Sequence, residues 1–249
     1  MTAFNIVVWS WIGLGAITFF SLIFTGVRAP YGRHSNARWG KTVDNHWGWF
    51  WMELPALLVF PILVLLGPTE KTLLTWILLF LWVGHYVYRV LIFPFQIRTK
   101  GKRIPLVIVW SALFFNAMNG FVNGYYLGFV ESAGADWLRW NVVLGLVLFF
   151  AGMYINRRTD AYLISLRAQQ EGYQIPRGWL FEKISCPNHF GEIVEWTGFA
   201  LAAWSLPAFS FALWTLANLV PRALNHHTWY QEYFPDYPKA RKAVLPYLW

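Results

Sequence analysis

The first residue that could do chemistry is an acid in an apolar run. Glu53 lies between Trp51 and Pro55 in a stretch of Trp, Phe and Leu. A charge at membrane depth costs about 2.5–3.5 kcal/mol on insertion scales. This carboxyl is therefore expected to be either protonated or paired. A carboxylic acid held neutral donates a hydrogen bond, and such a donor stabilises negative charge developing on a carbonyl oxygen. His85 and Tyr86 precede Arg89 by one turn in the next apolar run, which makes Tyr86 a candidate second donor. Plain structural readings stand beside these. Arg89 can snorkel to the membrane surface, and Tyr86 can be one more interfacial aromatic.

Further polar residues recur at helical spacing. Asn116, Asn119 and Asn123 share a helix face, suited to a site or to gluing helices together. Asn156 and Asp160 lie one turn apart, as do Glu192 and Glu195; the two Glu could also serve only to complement a helix N-terminus. Arg157, Arg158, Arg167, Arg177, Arg222, His226 and His227 form a set suited to phosphate, because guanidinium groups bind phosphate bidentately. Tyr173, Trp179, Trp196, Trp229 and Tyr230 could stack on a base. Contact with anionic lipid is the alternative for the basic set. No G-x-G-x-x-G, P-loop or H-E-x-x-H occurs, and adjacent His226 and His227 do not share a helix face. No metal site is expected.

These residues must be positioned by membrane helices. Of 249 residues, 57% are hydrophobic, 20% aromatic and only 13% charged, against about 25% charged in soluble domains. One Cys excludes a disulfide framework. The net charge of +8 is scattered in short stretches between apolar runs, which excludes a nucleic-acid-binding face. Uncharged runs cover residues 4–27, 54–69, 72–88, 104–130, 140–156 and 196–221, near the length of about 20 residues that a spanning helix needs. The second extends back through 47–52 across Glu53, and the third onward through 90–97. Residues 4–27 read as a first span rather than a cleaved signal. With the N-terminus outside, connections 28–46, 98–103 and 157–192 lie inside, and 70–71 and 131–139 outside. Of 20 Lys and Arg, only Lys71 and Arg139 then fall outside. The basic tail after Arg222 also belongs inside, so residues 187–221 must cross twice, as two short helices broken near Pro207 or as a re-entrant pair. The expectation is an all-α polytopic membrane protein with seven transmembrane helices, N-terminus outside and C-terminus cytosolic. The polar stretch 157–192 reads as a long functional loop.

The chain resembles the steroid 5α-reductase family, most strongly over residues 154–249. The strings that carry the resemblance are Ile155-Asn156 with Asp160, Arg167, and Gly172-Tyr173-Gln174-Ile175-Pro176-Arg177-Gly178. They continue through Asn188 and Gly191-Glu192-Ile193-Val194-Glu195-Trp196-Thr197-Gly198, then Trp204-Ser205-Leu206-Pro207. Arg222-Ala223, His226-His227, Trp229-Tyr230 and Asp236-Tyr237-Pro238-Lys239-Ala240-Arg241-Lys242 complete them. Upstream, Glu53-Leu54-Pro55, His85-Tyr86 and Asn119-Gly120 with Gly124-Tyr125-Tyr126 are also similar. Two positions depart from the pattern: Met52 stands where the family has Gln, and Gln174 where some relatives have Arg.

The resemblance implies a seven-helix enzyme that uses NADPH to reduce the C4–C5 double bond of 3-oxo-Δ4 steroids, with hydride to C5 and a proton to C4. It implies that Glu53 and Tyr86 hydrogen-bond the 3-keto oxygen. It also implies that Asn156, Asp160, Arg167, Tyr173, Asn188, Glu192, Arg222, His226 and Tyr230 bind the cofactor. Trp196, from the aromatic set, and Arg103 are added as expected cofactor contacts. Residues 1–249 then form one integral membrane domain, with substrate-side helices in 1–130 and cofactor loops in 131–249. A monomer is expected, in a bacterial inner membrane or the endoplasmic reticulum. Competing readings are a reductase of sterol, polyprenol or enoyl-lipid double bonds, an isoprenylcysteine-type S-adenosylmethionine methyltransferase, and a transporter or lipid-binding scaffold.

Overall fold

A computed structural model describes residues 2–26, 39–98, 101–169 and 172–247. Most of the expected inside connection 28–46, the end of the first apolar run, and part of connection 98–103 lie outside the described residues. The helices are α1 (Ala3–Thr25), α2 (Asn45–Leu66), α3 (Leu73–Val87), α4 (Phe93–Gln96), α5 (Leu106–Tyr125), α6 (Trp140–Gln169), α7 (Pro187–Ala203) and α8 (Leu206–Tyr233). A π-helical turn, Tyr88–Ile92, joins α3 to α4, and a second, Tyr126–Val130, extends α5. Among the described residues, five helical stretches are long and apolar enough to cross a membrane: Ala3–Thr25, Asn45–Leu66, Leu73–Gln96, Leu106–Val130 and Trp140–Gln169.

The chain divides into two compact units. One is Ala29–Val143. In it, strands β1 (Thr42–Asp44) and β2 (Arg103–Pro105) pair antiparallel, Val43 opposite Ile104. This ribbon escapes a sequence reading because three-residue strands show no alternation to detect. Asp44 caps α2 by accepting from the His46 amide at 2.9 Å. Gly120, Gly124 and Gly128 recur every fourth residue and face Val59, Phe60 and Leu63 of α2; a Cβ on Gly124 would lie 2.8 Å from the Phe60 carbonyl oxygen. Lipid tails are as apolar as the helices, so such close small-residue packing is what holds membrane helices together. Trp82 of α3 stacks on Phe60 at 4.3 Å and donates through Nε1 to the Ala56 carbonyl at 2.8 Å. Lys71 Nζ donates to the carbonyls of Gly67 (2.9 Å) and Thr69 (2.6 Å) after α2. Burial there lowers its pKa.

The other unit is Met1–Arg28 with Leu144–Trp249. Trp214 of α8 stacks near Trp11 of α1, with centroids 4.7 Å apart, and donates to the Trp11 carbonyl at 3.0 Å. Gly15 gives the indole room, since a Cβ there would lie 3.1 Å from it. The break expected near Pro207 is present. Trp204 takes a left-handed conformation (φ 46°), Ser205 caps α8 by accepting from the Ala208 amide, and Pro207 falls in the first turn. The polar stretch 157–192 is only partly a loop, because α6 runs on to Gln169. Residues 157–169 contain no Gly or Pro, and charge alone does not stop a helix. Cys186 is buried in an apolar cluster with Ile193, Leu219, Val220, Ala223, Ala243 and Val244.

Candidate active site

In the unit Ala29–Val143, Glu53 sits in the third turn of α2, and Tyr86 and Arg89 belong to α3 and the π turn after it. Of the two states the sequence leaves open for Glu53, the structure shows pairing. Arg89 Nη2 donates to Glu53 Oε1 at 3.0 Å, and the two side chains are 10% and 12% exposed. Arg89 does not snorkel; it is held inside the protein. Its guanidinium carbon lies 5.1 Å from the Trp49 ring and 4.8 Å from that of Phe93, a cation–π arrangement that tolerates the charge. Tyr86 is buried one turn before Arg89, 5.2 Å from Trp82 and 5.0 Å from His85 between centroids.

Asn116 Nδ2 donates to the Met52 carbonyl at 2.7 Å, fixing the backbone just before Glu53. Asn119 and Asn123 donate instead to carbonyls of their own helix, Phe115 and Asn119. The Met52 side chain is buried in an apolar cluster with Ile104 and Val109. Met52 therefore serves packing. Arg103 binds Thr42, with Nε to Oγ1 and Nη2 to the carbonyl, both at 2.8 Å, and so braces the ribbon.

In the other unit, four of the expected cofactor residues form one hydrogen-bonded network where α6 meets α7. Asn156 Nδ2 donates to the Asn188 carbonyl at 3.1 Å and lies 3.5 Å from Glu192 Oε2. Asn188 Nδ2 donates to Asp160 Oδ1 at 3.1 Å. The buried Oδ1 of Asn156 has no hydrogen-bond partner among the described residues. A glycine seam sets this register, a feature the sequence reading passed over. Gly145 and Gly152 of α6 meet Gly198 and Gly191 of α7, and a Cβ on Gly191 would lie 2.5 Å from the Asn156 amide nitrogen. The readable signal was the equal spacing of two turns within each pair.

Arg222 and His226 are half-buried on α8, and the His226 ring lies 5.8 Å from that of His189, the residue after Asn188. Tyr173 packs edge-on to Trp229 at 4.8 Å. Tyr230 is buried and stacks on Tyr237 at 5.3 Å. Arg167 is exposed in the last turn of α6. Trp196 differs from the rest. It is 1% exposed, and Phe149, Phe199 and Phe211 surround it at 6.1, 5.6 and 4.5 Å. In this structure the ring is enclosed by edge-on aromatic contacts.

The tail braces the loop that leads into α7. Arg241 is 2% exposed, donates to the Pro176 carbonyl at 2.9 Å and lies 3.7 Å from Glu182. Glu182 accepts from the amide of Gly178, whose φ of 83° suits glycine. That backbone hydrogen bond, and secondarily Arg241 and Arg177, hold the Glu182 pKa below its usual value. Ser185 Oγ bonds His227 Nδ1 at 2.6 Å and the Tyr237 hydroxyl at 2.7 Å. Burial, aided by Lys242, lowers the His227 pKa.

The chemistry of these groups fits a dinucleotide. The carboxylates of Asp160 and Glu192 and the spare Asn156 oxygen can accept from ribose hydroxyls and an amide, and Arg222 with His226 can meet phosphate.

Comparison with known proteins agrees with this chemistry. Residues 102–249 match the family described as 3-oxo-5-alpha-steroid 4-dehydrogenase. The chain is 39% identical to a steroid 5-alpha-reductase of Gossypium hirsutum over 241 residues, covering 93% of this chain and 92% of the relative. It is 42% identical to 3-oxo-5-alpha-steroid 4-dehydrogenase 1 of Rattus norvegicus over 240 residues, covering 94% and 92%. With the human protein of that name it shares 38% over 222 residues, covering 88% and 85%. Similarity of this extent, running through both the Glu53 and the Asn156 regions, places the chain in the steroid 5α-reductase family.

Proposed function

We propose that the protein reduces the C4–C5 double bond of 3-oxo-Δ4 steroids with NADPH. The observation that carries this reading is the network of Asn156, Asp160, Asn188 and Glu192, a ready-made acceptor set in a chain of this family. These residues, with Arg222, His226, Arg167, Tyr173 and Tyr230, would hold the dinucleotide. Bound NADPH supplies a hydride to C5. Glu53 and Tyr86 hydrogen-bond the 3-keto oxygen, where negative charge gathers as the hydride adds, and a proton reaches C4. A buried donor pair stabilises that charge more strongly than water would, because it needs no reorganisation. Apolar walls suit a steroid, which needs only a few polar groups at one end.

The same reading gives the chain seven crossings, with α7 and α8 as the last two, its N-terminus outside and its C-terminus cytosolic. It is one integral membrane domain and acts as a monomer, with substrate-side helices in residues 1–130 and cofactor loops in 131–249. Incubating the purified protein in lipid nanodiscs with NADPH and testosterone, progesterone or a polyprenol tests the function. Mass spectrometry should show the dihydro steroid, with matching loss of NADPH absorbance. Transfer of a labelled methyl group from S-adenosylmethionine, with no NADPH consumed, would overturn it.

A further inference from the structure

Arg89 is costly to bury, and the structure commits two aromatic rings and a distorted helix to keeping it inside. Trp49 and Phe93 lie 5.1 and 4.8 Å from the guanidinium and 5.9 Å from each other. The π turn Tyr88–Ile92 carries Arg89 and is closed by the Phe93 amide bonding to the Tyr88 carbonyl. Such turns insert one extra residue per bond ring and are frequent at functional sites. Arg89 Nη2 then takes Glu53 Oε1 at 3.0 Å. Among the described residues Glu53 makes no other polar contact, so the oxygen left for a ligand is Oε2.

We propose that Arg89 is a positioning residue: it fixes the Glu53 carboxyl through Oε1 and balances the charge left on it when Oε2 gives up its proton to the substrate oxygen. This rests on the reading of Glu53 as a donor. In the step, hydride adds at C5, the C4–C5 electron pair moves to C3–C4, and the carbonyl pair moves onto oxygen. That oxygen takes the Glu53 proton and an enol forms, while the carboxylate stays paired with Arg89. The enol then returns its proton to Glu53 as C4 takes one from solvent. The net change is one hydride and one proton added, with Glu53 restored.

A double-mutant cycle tests it. Arg89→Met should lower kcat about 10²-fold with little change in steroid KM. Arg89→Lys, which keeps the charge but not the planar fork, should recover most of that loss. In a Glu53→Gln background, Arg89→Met should remove no more than about 2-fold further, because residues acting as a unit are non-additive. The double variant also leaves no lone buried charge, so it keeps the test open if Arg89→Met folds poorly. An equal loss in both backgrounds, or an Arg89→Lys variant as slow as Arg89→Met, would overturn the proposal. Wild-type turnover in Glu53→Gln would instead overturn the donor reading on which it rests.

Discussion

Gly191→Val should abolish NADPH binding or prevent the protein from accumulating. The added Cβ would lie 2.5 Å from the Asn156 amide nitrogen and 2.7 Å from the Gly152 carbonyl oxygen. Both are backbone atoms of a packed helix and cannot rotate aside. Overpacking a core commonly costs about 1–3 kcal/mol, and at this contact the only relief is to part α6 from α7. Parting them pulls Asn188 and Glu192 away from Asn156 and Asp160, whose bonds now span 3.1–3.5 Å. A loss of at least about 10²-fold in NADPH affinity is expected, close to 3 kcal/mol. Quenching of tryptophan fluorescence by NADPH measures it. Gly13→Ala on α1 is the control, since a Cβ there meets nothing within 4 Å. Ordinary melting and ordinary NADPH affinity in Gly191→Val would show that the seam does not set the network.

Glu53→Gln should lower kcat by about 10²-fold or more with little effect on steroid KM, since an interaction made in the transition state has been weakened. Gln is the informative replacement. Its amide oxygen can still accept from Arg89, so the side chain keeps its place, while the transferable proton is gone. Ala is less useful, because breaking a buried ion pair by removing one partner costs about 3–5 kcal/mol in stability. Initial rates of NADPH oxidation with saturating steroid give the answer. Unchanged turnover in a folded Gln variant would remove Glu53 from the chemistry.

Part of this architecture is legible in the amino-acid order. Uncharged runs mark the long apolar helices, because a spanning segment cannot carry unpaired charge. The break at Trp204–Ser205 is announced by Ser205 and Pro207, a cap and a first-turn residue. Asn156 and Asp160 fall one turn apart, so their place on one face of α6 follows from helical period alone. Other features depend on partners that period does not name. Glu53 was expected to be protonated or paired, yet nothing in the order selects Arg89, which lies 36 residues away. Arg89 in turn reads as a surface-seeking cation until Trp49 and Phe93 are seen around it. The glycines at 145, 152, 191 and 198 carry their spacing openly, but spacing within a helix does not say which helix is met. Trp196 shows the same limit, since an aromatic beside Glu195 could line a site or fill a core. Residues 157–169 show another: their polarity suggests a loop, and the structure has an uninterrupted helix there.

The chain's single thiol is enclosed by the apolar cluster of α7, α8 and the tail. Enclosure of that kind withholds Cys186 from water-borne oxidants and alkylating agents, whose targets are accessible thiolates. The native protein is thus close to a cysteine-less background. Any thiol introduced on a connecting segment would report its own side of the bilayer to a membrane-impermeant maleimide, without interference from the rest of the chain.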